Sequence, residues 1–307
     1  MYPKGHESVF HQNIISLYGE YGQQWINQLA EQIAYFERHW GILVGKPYPN
    51  LSYNFIASAE TAAGTPAVLK LGFPNKELSS EIEALNIYAG RGCAALLAAD
   101  ADRGALLLER ALPGKPLKTA VVDDDQATRI SADVMRILWR DDPQSDTFPT
   151  VAKWGLGFQR LRAAFGGTSG PFPELLVAKA ETIYTEYLAN SSPGVLLHGD
   201  LHHENILSDE ERGWLGIDPK GVIGEPAYEV GALLRNVKPS LLHDWDLQQI
   251  CDRRVAILAE ELGFEREWIV GWGFAQGVLS AWWDYEDHGR VSQEVLKIAR
   301  TLFDMLH

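Results

Sequence analysis

The sequence predicts an α+β protein of two lobes, a smaller lobe built on an antiparallel sheet and a larger, mostly helical one. In the first third of the chain, short apolar runs alternate with turn residues, which is typical of strands. The remainder shows one amphipathic helical pattern after another. Between the two parts, residues 112–116 (LPGKP) break all periodicity. We therefore expect residues 1–113 to form the first lobe, with a hinge at 109–113, and residues 114–307 to form the second.

The first lobe is predicted to begin with a long amphipathic helix from about Tyr18 to Trp40. Apolar residues such as Trp25, Leu29 and Ile33 recur there at steps of three and four, so they share one face. Apolar runs bounded by turn residues predict strands over residues 51–57, 67–71, 94–98 and 105–109, and a second helix is predicted over residues 77–88.

Helical periodicity dominates the second lobe, and apolar segments that predict short strands around Asp200 and Asp218 interrupt it. A stretch rich in glycine at residues 166–171 is too short to link independent domains and is predicted to be a loop. The predicted helices cover residues 124–140, 151–165, 175–189, 227–236, 247–262, 267–285 and 292–306.

The chain is strongly acidic, with 27 lysine and arginine side chains against 41 aspartate and glutamate side chains. Nucleic acids and anionic membranes are therefore poor partners, because binding to phosphate groups requires basic patches. A cationic small-molecule substrate is favoured instead. The alternative is that the acidic side chains only keep the protein soluble. No apolar run reaches the roughly 20 residues that span a bilayer, and the N-terminus lacks the apolar segment of a signal peptide. The two cysteines, Cys93 and Cys251, lie far apart, which fits a reduced, cytoplasmic compartment.

The most informative segment runs from Leu196 to Leu207, where a polar cluster separates two apolar runs. This pattern predicts a buried strand, a loop rich in functional groups and a second strand. Asp200 and Asn205 lie in the loop, and Asp218 follows the next apolar strand. Two carboxylates and one amide at strand ends are what magnesium-assisted phosphoryl transfer needs. One carboxylate receives the hydroxyl proton, and the remaining oxygens bind the metal.

Three histidines in the same segment, His198, His202 and His203, raise the alternative of a zinc hydrolase. A hydrolytic zinc site requires three protein ligands that converge on one metal. His202 and His203 are adjacent, so they point in opposite directions on an extended segment. The phosphotransferase interpretation is therefore preferred.

Residues 198–203 (HGDLHH), 217–221 (IDPKG), 224–229 (GEPAYE) and 233–236 (LLRN) together resemble the aminoglycoside phosphotransferases. Weaker matches lie at residues 68–71, at Glu81 with Leu85, and at residues 106–110. The nearest branch is the streptomycin 6-kinase-like group, also called the aminoglycoside/hydroxyurea antibiotic resistance kinases. The resemblance implies a two-lobed, protein-kinase-like fold and ATP-dependent O-phosphorylation of an aminoglycoside.

The resemblance also implies roles for individual residues in the second lobe. Asp200 is the expected catalytic base, which accepts a hydrogen bond from the substrate hydroxyl and orients it towards the γ-phosphate. His198 is expected to orient this loop by hydrogen bonding rather than to transfer a proton. Asn205 and Asp218 are the expected Mg²⁺ ligands, because both supply hard oxygen donors.

In the first lobe the resemblance assigns the nucleotide-binding residues. Lys70 is expected to bind the α- and β-phosphates of ATP, with Glu81 as its ion-pair partner. Backbone groups between Glu109 and Ala111 are expected to bind the adenine. The phosphate-covering hairpin that contains Ser52 lacks a Gly-x-Gly-x-x-Gly motif, which departs from the protein-kinase pattern. Lys220 also replaces the glycine that protein kinases carry after the metal-binding aspartate, and there the sequence matches the streptomycin-kinase-like branch.

The acceptor is expected to contact acidic and aromatic residues of the second lobe, which suit a guanidinium or an amine. The sequence equally allows a solvated helix end for the acidic residues and a core position for at least one tryptophan. The candidates are Glu225, Glu229, Trp282, Trp283, Asp284, Glu286 and Asp287. Two alternatives for the function remain. One is a kinase of another small hydroxylated metabolite on the same fold, such as choline, fructosamine or homoserine, and the other is a nucleotide-binding regulator without turnover.

Overall fold

The computed structural model describes residues 9–49, 51–237 and 244–306 of the chain. Within these residues the chain forms two compact units. The first contains the residues up to Gly90 together with Ala94–Ala111, and the second contains Arg91–Cys93 and the residues from Leu112 onward. The main division therefore lies beside the break in periodicity that the sequence shows at residues 112–116.

The first unit consists of an antiparallel sheet and two helices, α1 (Val9–Trp40) and α2 (Lys76–Tyr88). The strands are β1 (Ile42–Pro47), β2 (Phe55–Thr61), β3 (Pro66–Leu71), β4 (Leu96–Asp100) and β5 (Ala105–Glu109). They are arranged in the order β1-β2-β3-β5-β4, and every neighbouring pair is antiparallel. The hydrophobic core joins α1 to this sheet, since Phe36 of α1 and Leu69 of β3 are both fully buried in it.

Two strands of the first unit differ from the sequence-based prediction. The sequence does not predict β1, because β1 lies at the sheet edge and only Ile42 is buried, so its side chains carry no alternating pattern. β2 begins at Phe55 instead of residue 51, since its buried face consists of Phe55, Ala57 and Ala59. Alanine buries little apolar area, which makes this alternation weak in the sequence.

The second unit contains eight described helices: α3 (Leu117–Ala120), α4 (Asp124–Leu138), α5 (Val151–Ala164), α6 (Glu174–Asn190), α7 (Val230–Arg235), α8 (Asp244–Leu262), α9 (Arg266–His288) and α10 (Gln293–Asp304). A 3-10 turn at Pro226–Glu229 precedes α7. One small sheet has the order β10-β9-β6, from β6 (Pro113–Pro116), β9 (Ile206–Asp209) and β10 (Gly213–Gly216). The other has the order β11-β8-β7, from β7 (Arg140–Asp141), β8 (Val195–Leu197) and β11 (Val222–Gly224).

The helix α9 lies at the centre of the second unit, where it packs against α5, α6, α7, α8 and α10. Consecutive residues of this helix, including Trp272, Gly273 and Phe274, are all buried. A helix buried around its whole circumference needs neighbours on every side. No helix in the described part of the chain is both long and apolar enough to cross a bilayer.

Candidate active site

The loop between β8 and β9 (residues 198–205, here called the polar loop) carries most of the predicted functional groups. After it, β9 and β10 form a hairpin in which Ile206 pairs with Gly216. The Ile217 backbone N–H extends this pairing by donating to the Asn205 carbonyl at 2.9 Å. Asn205 therefore lies beside Ile217, the residue directly before Asp218, although the whole hairpin separates them in the sequence.

The side chain of Asn205 is oriented by the polar loop itself. Its Nδ2 donates a hydrogen bond to the Asp200 carbonyl oxygen at 3.0 Å. Because a carbonyl oxygen can only accept, this contact fixes which end of the amide is nitrogen and directs Oδ1 elsewhere. The contact joins Asn205 to Asp200, so the structure links the three predicted polar residues through one loop and one hairpin.

Asp218 has a left-handed backbone, with φ of 57°. This conformation costs an L-residue other than glycine roughly 1–2 kcal/mol, although aspartate and asparagine adopt it more often than other residues. Strained backbone of this kind is concentrated at functional sites, where the surrounding structure holds it in place.

Two substitutions at Asp218 are expected to separate its chemistry from its strain. Asp218→Gly and Asp218→Ala both remove the carboxylate, so we expect both to lose activity. Glycine adopts positive φ without a steric penalty, and we expect the glycine variant to be the more stable by about 1 kcal/mol. Urea unfolding of the two variants measures this difference, and equal stabilities would contradict a strained Asp218.

The His198 side chain is fully buried and connects the polar loop to the strand that leads to Asp218. Its Nε2 lies 2.8 Å from the Ile217 carbonyl oxygen, and its Nδ1 accepts a hydrogen bond from the Asp200 backbone N–H at 3.3 Å. The carbonyl can only accept and the amide can only donate, so the ring is the neutral tautomer with its hydrogen on Nε2. Burial lowers the pKa of His198 to about 4, against the raising effects of Asp200 and the Ile217 carbonyl.

Glu229, in the 3-10 turn, supports the polar loop from the other side. Its carboxylate accepts hydrogen bonds from the backbone N–H of His198 at 2.7 Å and of Gly199 at 2.9 Å. Burial raises the pKa of this carboxyl to about 7, although the backbone hydrogen bonds act in the opposite direction. Gly199 has φ of +85°, and a Cβ there would lie 2.9 Å from the Trp154 ring. Only glycine satisfies both the backbone conformation and the space at this position.

The pH dependence of stability is expected to contain opposite contributions from His198 and Glu229. The folded-state pKa of His198 is about 4 against 6.5 unperturbed, so its contribution is present above pH 6.5 and is lost as the pH falls towards 4. The folded-state pKa of Glu229 is about 7 against 4.5, so its contribution is present below pH 4.5 and is lost as the pH rises towards 7. Each contribution amounts to roughly 3 kcal/mol.

Single variants should expose these two contributions. As the pH rises from 4 to 6.5, the wild type gains the stability that neutral His198 contributes. His198→Gln lacks this gain, so its stability is expected to fall relative to that of the wild type over this range. The stability deficit of Glu229→Gln against the wild type is expected to become smaller over a similar range, since only the wild type loses the contribution of the protonated carboxyl. Urea unfolding across this pH range measures both slopes, and parallel curves for all three proteins would contradict the prediction.

Arg235, at the end of α7, contacts the expected catalytic base, a role that the sequence analysis did not assign to it. Its Nη2 donates to Asp200 Oδ1 at 2.5 Å. Burial raises the pKa of Asp200, but Arg235 above all, followed by His202, Lys220 and His198, brings it below its ordinary value. The sequence does offer one indication that Arg235 has a partner. It directly follows the apolar run Gly231–Leu234, and a charged side chain beside buried residues requires a partner.

In the first unit, the structure brings the predicted Lys70–Glu81 pair together. The Lys70 ammonium donates to Glu81 Oε1 at 2.6 Å and to Oε2 at 2.8 Å, and both side chains are buried. Lys70 lies on β3 and Glu81 on α2, so the ion pair connects the sheet to the helix. Removing either partner would take from the other a buried, hydrogen-bonded counter-charge, which is strongly destabilising.

The other predicted nucleotide-binding residues lie at the ends of strands in the first unit. Ser52 is exposed in the bend before β2. Glu109, at the end of β5, uses its side chain to accept a hydrogen bond from the Ala95 backbone N–H at 3.0 Å. Ala111 is buried just beyond. The side chains of Glu109 and Ala111 are thus directed into the protein.

Several predicted acceptor ligands are already engaged within the second unit. Glu229 is 1% exposed and holds the polar loop, so a ligand cannot reach its carboxylate. Both oxygens of Glu225 accept indole hydrogen bonds, one from Trp268 and one from Trp272 at 3.0 Å. Trp282 is 3% exposed and packs edge-on against phenylalanine rings. We therefore treat Glu229, Glu225 and Trp282 as parts of the protein framework.

The remaining acceptor candidates lie near the end of α9. Glu286 forms a bidentate ion pair with Arg160, at 2.7 and 2.9 Å. Asp284 lies 3.8 Å from His288, and Asp287 is exposed. A small cavity of about 40 Å³ adjoins the polar loop instead, lined by Lys118, His202, His203, Glu204, Asn236 and Val237. Among the described residues, no three His, Cys, Asp or Glu side chains converge as a metal site, so a three-ligand zinc centre is not formed there.

The family of the chain follows from comparison with known proteins. The sequence profile of the aminoglycoside/hydroxyurea antibiotic resistance kinases matches residues 50–288, which is most of the chain. This chain belongs to that family. The streptomycin 6-kinase of Streptomyces glaucescens is 28% identical over 88% of this chain and 87% of its own length. The streptomycin 3''-kinase of Klebsiella pneumoniae is 33% identical over 71% of this chain and 79% of its own.

The fold of this aminoglycoside/hydroxyurea kinase is also similar to that of a solved structure. The aminoglycoside phosphotransferase APH(4)-Ia, in a ternary complex with ADP and hygromycin B, superposes with a TM-score of 0.58. It covers 87% of this chain and 97% of its own at 13% identity, which shows the fold alone. The expected family, protein-kinase-like fold and enzyme class are thus confirmed, and the protein is a phosphotransferase that acts on hydroxyl groups of small molecules.

Proposed function

We propose that the protein phosphorylates a hydroxyl group of an aminoglycoside with ATP, in the manner of a streptomycin 6-kinase. The observation that carries this proposal is the joining of Asp200, Asn205 and Asp218 by one loop and one hairpin. The family membership supports phosphoryl transfer, and the streptomycin kinases among the relatives support the class of acceptor. The strongly acidic composition favours a cationic acceptor, and aminoglycosides carry several amines.

In this proposal Asp200 positions the acceptor and receives its proton. The hydroxyl donates a hydrogen bond to the Asp200 carboxylate, and its oxygen forms a bond to the γ-phosphorus while the bond to the β,γ-bridging oxygen of ATP breaks. ADP leaves, and the hydroxyl proton passes to Asp200. The transition state of phosphoryl transfer is loose, so orientation matters more than basicity, and the low pKa of Asp200 is compatible with this role.

Asn205 and Asp218 would hold Mg²⁺ through the amide oxygen and the carboxylate. The donor set fits, because both are hard oxygen ligands and the Asn205 nitrogen is already committed to the Asp200 carbonyl. Bound magnesium neutralises phosphate charge during transfer. His198 and Glu229 act on these residues indirectly, by fixing the backbone of the polar loop and its connection to Ile217.

Lys70 would bind the α- and β-phosphates of ATP. Its ion pair with Glu81 keeps the ammonium in one place, so little side-chain entropy is lost when the nucleotide binds. The backbone between Glu109 and Ala111 would bind the adenine, and the bend that contains Ser52 would cover the phosphates. We place this ATP-dependent enzyme in the cytoplasm, in keeping with its two buried cysteines, Cys93 and Cys251, which are not joined in a disulfide.

The acceptor is tested by incubating the purified protein and Mg-ATP with streptomycin, other aminoglycosides, hydroxyurea and choline, while ADP release is followed. We expect ADP release with at least one aminoglycoside well above the acceptor-free rate, and mass spectrometry should show one added phosphoryl group. NMR of the product then identifies the hydroxyl. Phosphorylation of choline or hydroxyurea with no turnover of any aminoglycoside would overturn the proposed acceptor.

A further inference from the structure

Arg235 connects the catalytic base to the central helix of the second unit. Its side chain is only 13% exposed. One guanidinium nitrogen, Nη2, donates to Asp200 Oδ1 at 2.5 Å, and the other, Nη1, donates to Gln276 Oε1 on α9 at 2.7 Å. The planar guanidinium therefore has two fixed partners, which restricts its rotation.

Gln276 is in turn held in a single orientation. It is 1% exposed, and its Nε2 donates to the Tyr228 carbonyl oxygen at 3.4 Å. Arg235 can only donate and the carbonyl can only accept, so the two ends of the Gln276 amide cannot be exchanged. Gly231 provides the space for this amide, because a Cβ at position 231 would lie 2.5 Å from Gln276 Oε1.

We propose that Arg235, held by Gln276, is the positioning residue that fixes the Asp200 carboxylate for the acceptor hydroxyl. The inference rests on the proposed role of Asp200 as catalytic base. The terminal torsion of an aspartate side chain is broad and has no sharply preferred value. Arg235 removes this freedom by binding Oδ1, and Oδ2 then remains for the hydroxyl. Oδ2 lies 3.8 Å from His202 Nε2, which is too far for a hydrogen bond.

The main test is Arg235→Met, which keeps the apolar stem and removes both donors. We expect kcat to fall on the order of 100-fold, as for a misplaced catalytic group, while KM for ATP stays unchanged. Arg162→Met is the matched control. Arg162 also forms a bidentate pair with a carboxylate, but that carboxylate is Glu181 of α6 rather than Asp200, and its loss should leave kcat unchanged.

A double-mutant cycle separates positioning from a general effect on folding. If Arg235 acts through Asp200, Arg235→Met should cause no further loss of the residual activity in an Asp200→Asn background. Gln276→Met should lower kcat less than Arg235→Met does. In the double variant, kcat should be no lower than in Arg235→Met alone. Arg235→Lys should recover only part of kcat, because a single ammonium is not a planar fork that reaches both partners.

Three kinetic results would overturn the inference: wild-type kcat in Arg235→Met, a faster kcat, or losses that add fully to those of Asp200→Asn. A crystal structure of Arg235→Met provides a measurement independent of turnover. It should show the Asp200 carboxylate rotated or in two conformers, and an unmoved carboxylate would equally overturn the inference. If the wild type phosphorylates no aminoglycoside, only the proposed acceptor is rejected, and the inference about Arg235 still stands. The same double-mutant cycle is then run with the acceptor that is phosphorylated.

Discussion

Asp200→Asn is expected to reduce kcat by about 10²- to 10⁴-fold, the range typical of a lost acid–base group. Asparagine has the same shape, and its Oδ1 can still accept the hydrogen bond from Arg235 Nη2. The remaining group is then an NH₂, which can only donate and cannot accept the proton of the acceptor hydroxyl. The substitution therefore removes the chemistry while it keeps the contacts of the polar loop.

Steady-state kinetics and calorimetry of Mg-ATP binding together test this prediction. We expect nearly unchanged nucleotide affinity, because Asn205, Asp218 and Lys70 are retained. Asp252→Asn is a suitable control, since Asp252 is a surface residue that pairs with Arg266 on the neighbouring helix. Turnover of Asp200→Asn within about tenfold of the wild type would reject Asp200 as the base.

Comparison of Asp200→Asn with Asp200→Ala tests how much the Arg235–Asp200 contact contributes to stability. Alanine leaves the Arg235 guanidinium, which is 13% exposed, without its carboxylate partner. Loss of one partner from a largely buried ion pair is destabilising, so we expect Asp200→Ala to be less stable than Asp200→Asn. Equal unfolding midpoints would mean that the Arg235–Asp200 contact contributes little to folding.

The sequence predicts the main elements of this protein well where hydrophobic periodicity is strong. The long helices α4, α6 and α9 lie within a few residues of their predicted bounds, because apolar residues recur along each of them at helical spacing. The strand β6 is different: two prolines interrupt the pattern, yet the segment pairs with β9 at the edge of a sheet. Prolines are tolerated at such an edge because no backbone donor is needed there, and local periodicity cannot reveal this pairing.

The candidate site is predictable to the extent that its residues share one local motif. Asp200, Asn205 and Asp218 stand at the ends of short apolar runs, so strand and loop patterns are enough to single them out. Arg235 and Gln276 become relevant only through contacts between distant parts of the chain. For Glu229, the sequence instead suggests a role that the contacts in the structure do not support. Its charge favours a substrate ligand in the sequence, whereas its burial against two backbone N–H groups makes it a support for the loop.

Substitution of Glu229 is expected to have the largest combined effect on stability and activity. At pH 8, above its pKa of about 7, the side chain is ionised and both oxygens accept backbone hydrogen bonds. In Glu229→Gln one of these oxygens becomes an NH₂ that faces a backbone N–H, so one hydrogen bond is replaced by two opposed donors. An unsatisfied buried donor costs about 1–3 kcal/mol, and the opposed pair adds to this cost.

The same substitution should lower kcat, because His198 and Gly199 directly precede Asp200 and a shift of the loop by about 1 Å can cost on the order of 100-fold in rate. Hydrogen exchange at the His198 and Gly199 amides distinguishes this cause from global destabilisation. Their protection should fall more than that of the α9 core. Glu181→Gln, which disturbs only the Arg162 pair, should change neither kcat nor this protection. If Glu229 instead bound the acceptor directly, the substitution would raise the acceptor KM without loss of amide protection, an outcome at odds with a side chain that is 1% exposed.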